Sequence, residues 1–153
     1  MEQIDAKLKI MLEVLNEKKQ ILESILNISE NQETILLITQ ENEEIKTLFM
    51  DMSVEKQKHI DQVVEKDERF NNLFLSMGEA FEQQADFHKD IIKQLQEEIK
   101  TVSELDIKIR AMEEKNRNHI VNKTINKKTQ QGAKVNKNVM LDRYKKNTKG
   151  RRK

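Results

Sequence analysis

A chain of 153 residues in which apolar and charged side chains each make up 36% is long enough for one domain but too poor in apolar mass for a thick globular core, so it must bury narrow stripes. With no proline, no cysteine and three glycines, it has little to interrupt a helix, no disulfide framework and no thiolate metal ligand. The formal net charge of +1 conceals two unlike segments: Asn122 to Lys153 carries twelve Lys and Arg against the single acid Asp142, while Met1 to Val121 carries sixteen bases against twenty-six acids.

The first element is predicted from Ile4, Leu8, Met11, Leu15, Lys18, Leu22, Ile25, Ile28, Gln32, Ile35 and Thr39, which recur at alternating spacings of four and three. This is the seam of a helix that packs on another helix. Ser29-x-x-Gln32 matches a capping box, but the stripe runs through it in phase, so one helix continues to about Gln40. Asn42-Glu43-Glu44 reads as a new start, with an N-cap side chain followed by acids suited to the positive end of a helix dipole.

The second helix keeps the same rhythm through Ile45, Phe49, Met52, Lys56, His59, Val63, Lys66, Phe70, Leu73 and Met77, with Leu48, Ile60 and Phe74 widening its apolar face. Breaks are offered at Ser76-Met77-Gly78 and at Gln84-Ala85-Asp86, and the second is preferred, with Asp86 as N-cap of the third helix. That helix shows Ile92, Leu95, Ile99, Val102, Leu105, Ile109 and Met112, and Asn116 and Ile120 continue its row. Strand signals are poor, because no Asn-Gly or Asp-Gly hairpin dipeptide occurs. The expected fold is all-α, an elongated antiparallel bundle of three long coiled-coil-like helices joined by short links. Residues 1–121 form its acidic body, and 122–153 form a basic amphipathic C-terminal segment that partly overhangs the bundle or is disordered.

No catalytic or cofactor signature accompanies this pattern, so a binding role is expected rather than an enzymatic one, with no cofactor and no metal. His59, His88 and His119 follow Lys56, Ala85 and Asn116 by three residues, so none makes the Glu-x-x-His pair of di-iron bundles. No Gly-rich phosphate loop, nucleophile elbow or zinc motif is present. Met50, Met52, Met77 and Met112 are expected to fill the core, leaving Met140 as adaptable surface. The phenylalanines from Phe49 to Phe87 are expected to thicken the contacts of the second helix.

The candidate partner-binding positions in the basic region are Val121, Ile125, Val135, Val139, Met140, Leu141 and Tyr144, apolar residues among lysines and asparagines with no partner helix assigned to them. Two rivals stand beside this reading. A dozen cations could neutralise phosphates, but Tyr144 alone could stack on a base, so nucleic acid is disfavoured. The other rival is a structural coiled coil that oligomerises through its stripes, a homodimer being compatible with them. Membrane insertion is not expected: the longest uncharged stretch, Phe70 to Gly78, is about half of what a span requires. Because Met1-Glu2-Gln3-Ile4-Asp5 lacks the order of a secretory signal, the expected location is the cytoplasm.

Two stretches carry a resemblance to a known family. Glu55-Lys56-Gln57-Lys58-His59-Ile60-Asp61-Gln62-Val63-Val64-Glu65-Lys66-Asp67-Glu68-Arg69-Phe70 resembles the second-helix pattern of bacterial flagellar export chaperones of the FlgN/FliT type. Ile109-x-x-Met112-Glu113-Glu114-Lys115-Asn116, with the lysine-rich run to Val139 and Tyr144, is similar to that family's closing helix, although the Arg-Arg-Lys ending is more basic. The resemblance implies a small cytoplasmic chaperone that binds the amphipathic terminal helices of flagellar junction, cap or filament proteins. Such a chaperone would prevent their premature association and pass them to components of the export apparatus. It also implies that the client is held by the C-terminal helical region, from about Ile109 to Tyr144, so that the partner-binding strip becomes Ile109, Met112, Asn116, Ile120, Ile125, Val135, Val139, Met140 and Tyr144.

Overall fold

The computed structural model describes residues 2–38 and 42–132. Their elements in chain order are α1 (Glu2–Leu36), α2 (Glu43–Met77), the short α3 (Glu79–Gln84), a 3-10 turn at Ala85–His88, and α4 (Lys89–Gly132). The fold is all-α, with three long helices and no strand among the described residues. α1 and α2 each span 35 residues and α4 spans 44, so at 1.5 Å per residue α4 is the longest by about 13 Å.

Helix directions follow from the sequence separation of their cross-links. From α1 to α4, the bonded pairs Ser29–Glu113, Ser29–Asn116, Glu33–His119 and Ile38–Lys123 are 84, 87, 86 and 85 residues apart. A nearly constant offset means that these two helices run parallel. From α1 to α2, Lys7–Ser76, Glu17–Lys66 and Gln32–Lys56 are 69, 49 and 24 residues apart. The separation shrinks as α1 advances, so α2 is antiparallel. α1 is therefore the shared element, with α2 and α4 packed along two of its flanks.

That shared position explains where the core sits. Among the described residues, eight of the twelve buried apolar side chains belong to α1, including Leu8, Met11, Val14 and Ile25. Each contributes about 1.5–3 kcal/mol relative to exposure, which makes α1 the element the fold least tolerates losing. On α4, Leu95, Val102, Ile109 and Asn116 are buried at intervals of seven, the repeat that keeps one seam against a partner as the helices coil. Among the described residues, α2 is covered on one side only. Its seam from Ile45 to Phe70 and Leu73 is half-buried, and Met77 alone in that helix is fully buried.

Several boundaries and assignments differ from expectation. α1 closes at Leu36 rather than near Gln40, because its last turn tightens, with the Ile38 amide donating to the Ile35 carbonyl at 3.1 Å. Thr39 lies outside the described residues. Asn42 is the N-cap of α2 as expected, its side chain accepting the Ile45 amide at 2.8 Å. The chain leaves α2 at Gly78, whose φ of +55° and ψ of −142° suit glycine, and Asp86 sits inside the 3-10 turn instead of capping a helix. Leu48, Ile60 and Phe74 do not widen the seam, since all three are exposed on a helix with one covered face. Met50 and Phe87 are likewise exposed rather than core, while Phe74 and Phe81 meet edge-on at 5.7 Å near the Gly78 break.

Candidate partner-binding face

The strip expected on the C-terminal part of α4 divides into three parts. Ile109 and Asn116 are buried and Met112 is half-buried, so the strip from 109 to 116 is already covered by α1. The parallel offset between α1 and α4 is the cause, because it sets Asn116 against Ser29, where its Nδ2 donates to the Ser29 carbonyl at 2.9 Å. Ile109 belongs to the same core as Leu22 and Ile25. These two residues are thus bundle contacts and not a free face, which corrects the expectation. Ile120, in contrast, is 43% exposed, and Ile125 is half-buried. Val135, Val139, Met140 and Tyr144 lie outside the described residues.

The level at which α1 ends is marked by a cap. Lys123 Nζ donates to the Ile38 carbonyl at 3.2 Å, placing a cation on the negative end of α1. Glu33, one turn earlier on α1, lies 3.4 Å from Lys115 Nζ and 3.3 Å from His119 Nε2. α4 then continues as helix to Gly132. Leu37 and Ile38 are exposed at this same end of the bundle.

Below that end lies a polar layer that joins all three long helices. Lys56 Nζ of α2 donates to Glu113 Oε1 of α4 at 2.7 Å and to Gln32 Oε1 of α1 at 2.5 Å. Ser29 Oγ donates to the same Glu113 oxygen at 2.5 Å, and Gln32 Nε2 donates to Ser53 Oγ at 2.8 Å. Ser29 and Gln32 have essentially no exposed surface, so these hydrogen bonds replace water that neither group can reach. Burial pushes the Glu113 carboxyl upward, but hydrogen bonds from Lys56 and Ser29, with the charges of Lys56 and Arg117, hold it below the usual glutamate range. Ser29, Gln32, Lys56 and Glu113 were not among the expected site residues. Their signal was present as polar positions in the seams, since Gln32 and Lys56 each interrupt an apolar row.

The histidines are structural contacts. His88 is buried at the end of the 3-10 turn with Nδ1 3.7 Å from Asp5, and His59 lies beside Gln62 and Glu55 on α2. Among the described residues no cluster of three or more His, Cys, Asp or Glu is arranged to hold a metal, and no helix is long and apolar enough to cross a membrane. In comparisons with protein families, with curated proteins and with solved structures, nothing matches this chain.

Proposed function

We propose that this chain is a helix-binding chaperone of the flagellar-export type, acting in the cytoplasm. It covers the amphipathic terminal helix of an axial, junction or cap protein until that client is passed to the export apparatus. The observation that carries the reading is the overrun of α4: Lys123 meets the end of α1 at Ile38, and the helix goes on to Gly132. Where α1 stops, a client helix can take its place beside α4, with Ile120, Leu37 and Ile38 as exposed apolar contacts. The twelve cations from Asn122 onward select a client helix with acidic borders and speed its encounter.

Co-expression with the terminal segment of a flagellar hook-junction protein, followed by size-exclusion chromatography, tests the reading. A stable complex is expected, and Ile120→Asp combined with Ile125→Asp is expected to abolish it while the helical circular dichroism stays unchanged. A complex that survives both this variant and removal of residues 133–153 would defeat the site. Failure to bind any junction, cap or filament segment would defeat the function.

A further inference from the structure

We infer that the outer face of α2 is a docking surface for a basic amphipathic helix of another protein, separate from the α4 overrun and opposite to it in charge. Met50, Val54, Val64 and Leu75 are 66%, 57%, 51% and 65% exposed. Their spacings fall on one heptad row, whose intervening positions are Gln57, Asp61, Glu68 and Asn71. This row lies on the side of α2 away from the half-buried seam that faces α1. It runs about 38 Å, enough to seat a helix of more than about twenty residues. α4 exposes Ile99, Ile107 and Ile120, but Ile99 and Ile120 belong to its seam row and Ile107 stands apart from them, which is ordinary scatter, whereas α2 aligns four on its outer face.

The charges around the row state what fits it. The cations Lys56 and Lys66 turn inward to Glu113 and Glu17, and the acid Asp67 is engaged by Lys18 at 2.6 Å. What remains facing outward between Met50 and Leu75 is Asp51, Glu55, Asp61, Glu65 and Glu68 against the two cations Lys58 and Arg69. Asp51, Glu65 and Glu68 have no ion-pair partner among the described residues. An apolar row bordered by unpaired acids complements a helix with an apolar row bordered by Lys and Arg. A second copy of α2 is a poor occupant, because it would bring Asp61 and Glu68 onto another acidic face. Met50, at one end, adds a flexible thioether that repacks against different side chains.

The test titrates the full chain against two labelled synthetic helices of about twenty residues, one built of Leu and Lys and one with Glu in place of every Lys, by fluorescence anisotropy. In the Ile120→Asp/Ile125→Asp chain, which lacks the α4 site, the Leu/Lys helix is expected to bind and the Leu/Glu helix to fail. The affinity is expected to fall as salt is raised, because the borders act through charge. Val54→Lys with Val64→Lys is expected to weaken binding at least about tenfold with unchanged circular dichroism, and Ile107→Lys to leave it unchanged. Equal binding of both helices by the Ile120/Ile125 variant, or full affinity for the Leu/Lys helix in the Val54/Val64 variant, would overturn the proposal. So would binding that emerges only after removal of residues 133–153, which would make this chain's own basic segment the occupant. A dimer in light scattering that the same variant dissolves would assign the face to a second copy instead. The Ile120/Ile125 variant is expected to retain the Leu/Lys helix, so failure of the α4 site and failure of this one are read separately.

Discussion

Lys56 Nζ lies 2.7 Å from Glu113 Oε1, tying α2 to α4 across the polar flank of α1. The lysine side chain is 13% exposed and the glutamate 36%, so the two lose different amounts when parted. Glu113→Ala strands a nearly buried ammonium with Gln32 as its best remaining acceptor, and a loss of about 1–3 kcal/mol is expected. Lys56→Met is expected to cost less, because the more exposed carboxylate keeps water and the Ser29 hydroxyl. In a double-mutant cycle followed by urea denaturation, the combined variant should lose at least about 0.5 kcal/mol less than the sum of the singles. Strict additivity would show that the pair does not couple the helices.

The same carboxylate gives the fold an acid-sensitive component. Its folded-state value lies below the ordinary 4.5, so its contribution is fully present above that value and is lost as pH falls through the folded one. Thermal melts from about pH 5 to about pH 3 are therefore expected to show a smaller decline for Glu113→Gln than for the unaltered chain. The Asp5 carboxyl, lowered by the hydrogen bond from Lys9, and the Glu17 carboxyl, lowered by that from Lys66, sit in solvent and leave a shallow residual slope in both proteins. Identical slopes would remove Glu113 from the acid response.

Much of this bundle could be read from residue spacing, because the phase of a helical seam is set by local covalent geometry. All ten seam positions of α2, from Ile45 to Met77, are turned out of full exposure, and Lys18, Lys56 and Lys66 keep the phase of their apolar neighbours. Those lysines are polar positions in otherwise apolar stripes and are cross-links of the bundle: Lys18 with Asp67, Lys66 with Glu17, Lys56 with Glu113. What a stripe does not state is how far its partner extends. The fate of Ile109 and Asn116 depended on the offset of nearly 85 residues between α1 and α4, and that offset is set by where the chain turns between α2 and α4. Two weak break signals competed there, and the glycine was stronger than the Asp86 cap. The exposed row on α2 was hidden for another reason: Met50 and Val54 are apolar residue types whose burial depends on a neighbour that α2 lacks on that side among the described residues.

Gly78 joins α2 to α3 at φ +55° and ψ −142°, and a Cβ built there meets nothing within 4 Å. Any penalty for Gly78→Ala is therefore backbone strain without a clash, about 1–3 kcal/mol. The expected outcome is a lower denaturation midpoint with an unchanged slope, since the exposed surface of the two end states stays the same. A variant as stable as the parent would mean that the break relaxes to a conformation open to other residues.

Asn116 occupies the fourth place in the buried series Leu95, Val102, Ile109, and it is the one polar member. Its Nδ2 reaches the Ser29 carbonyl, but its Oδ1 is buried with no partner among the described residues. An unpaired buried acceptor costs about 1–3 kcal/mol, and the Ser29 carbonyl already sits within α1, so the amide adds less than its burial takes away. Asn116→Leu is expected to raise the melting temperature by a few degrees, in the direction found when buried polar groups are replaced by apolar ones of similar size. Its cost is expected in uniqueness, because an all-apolar row no longer marks the level at which α4 must meet α1 and Lys56. Analytical ultracentrifugation of the variant should then show species beyond that of the parent. A variant of lower stability would mean that the Ser29 contact outweighs the orphaned oxygen, and the polar layer would be holding the bundle together as well as fixing its register.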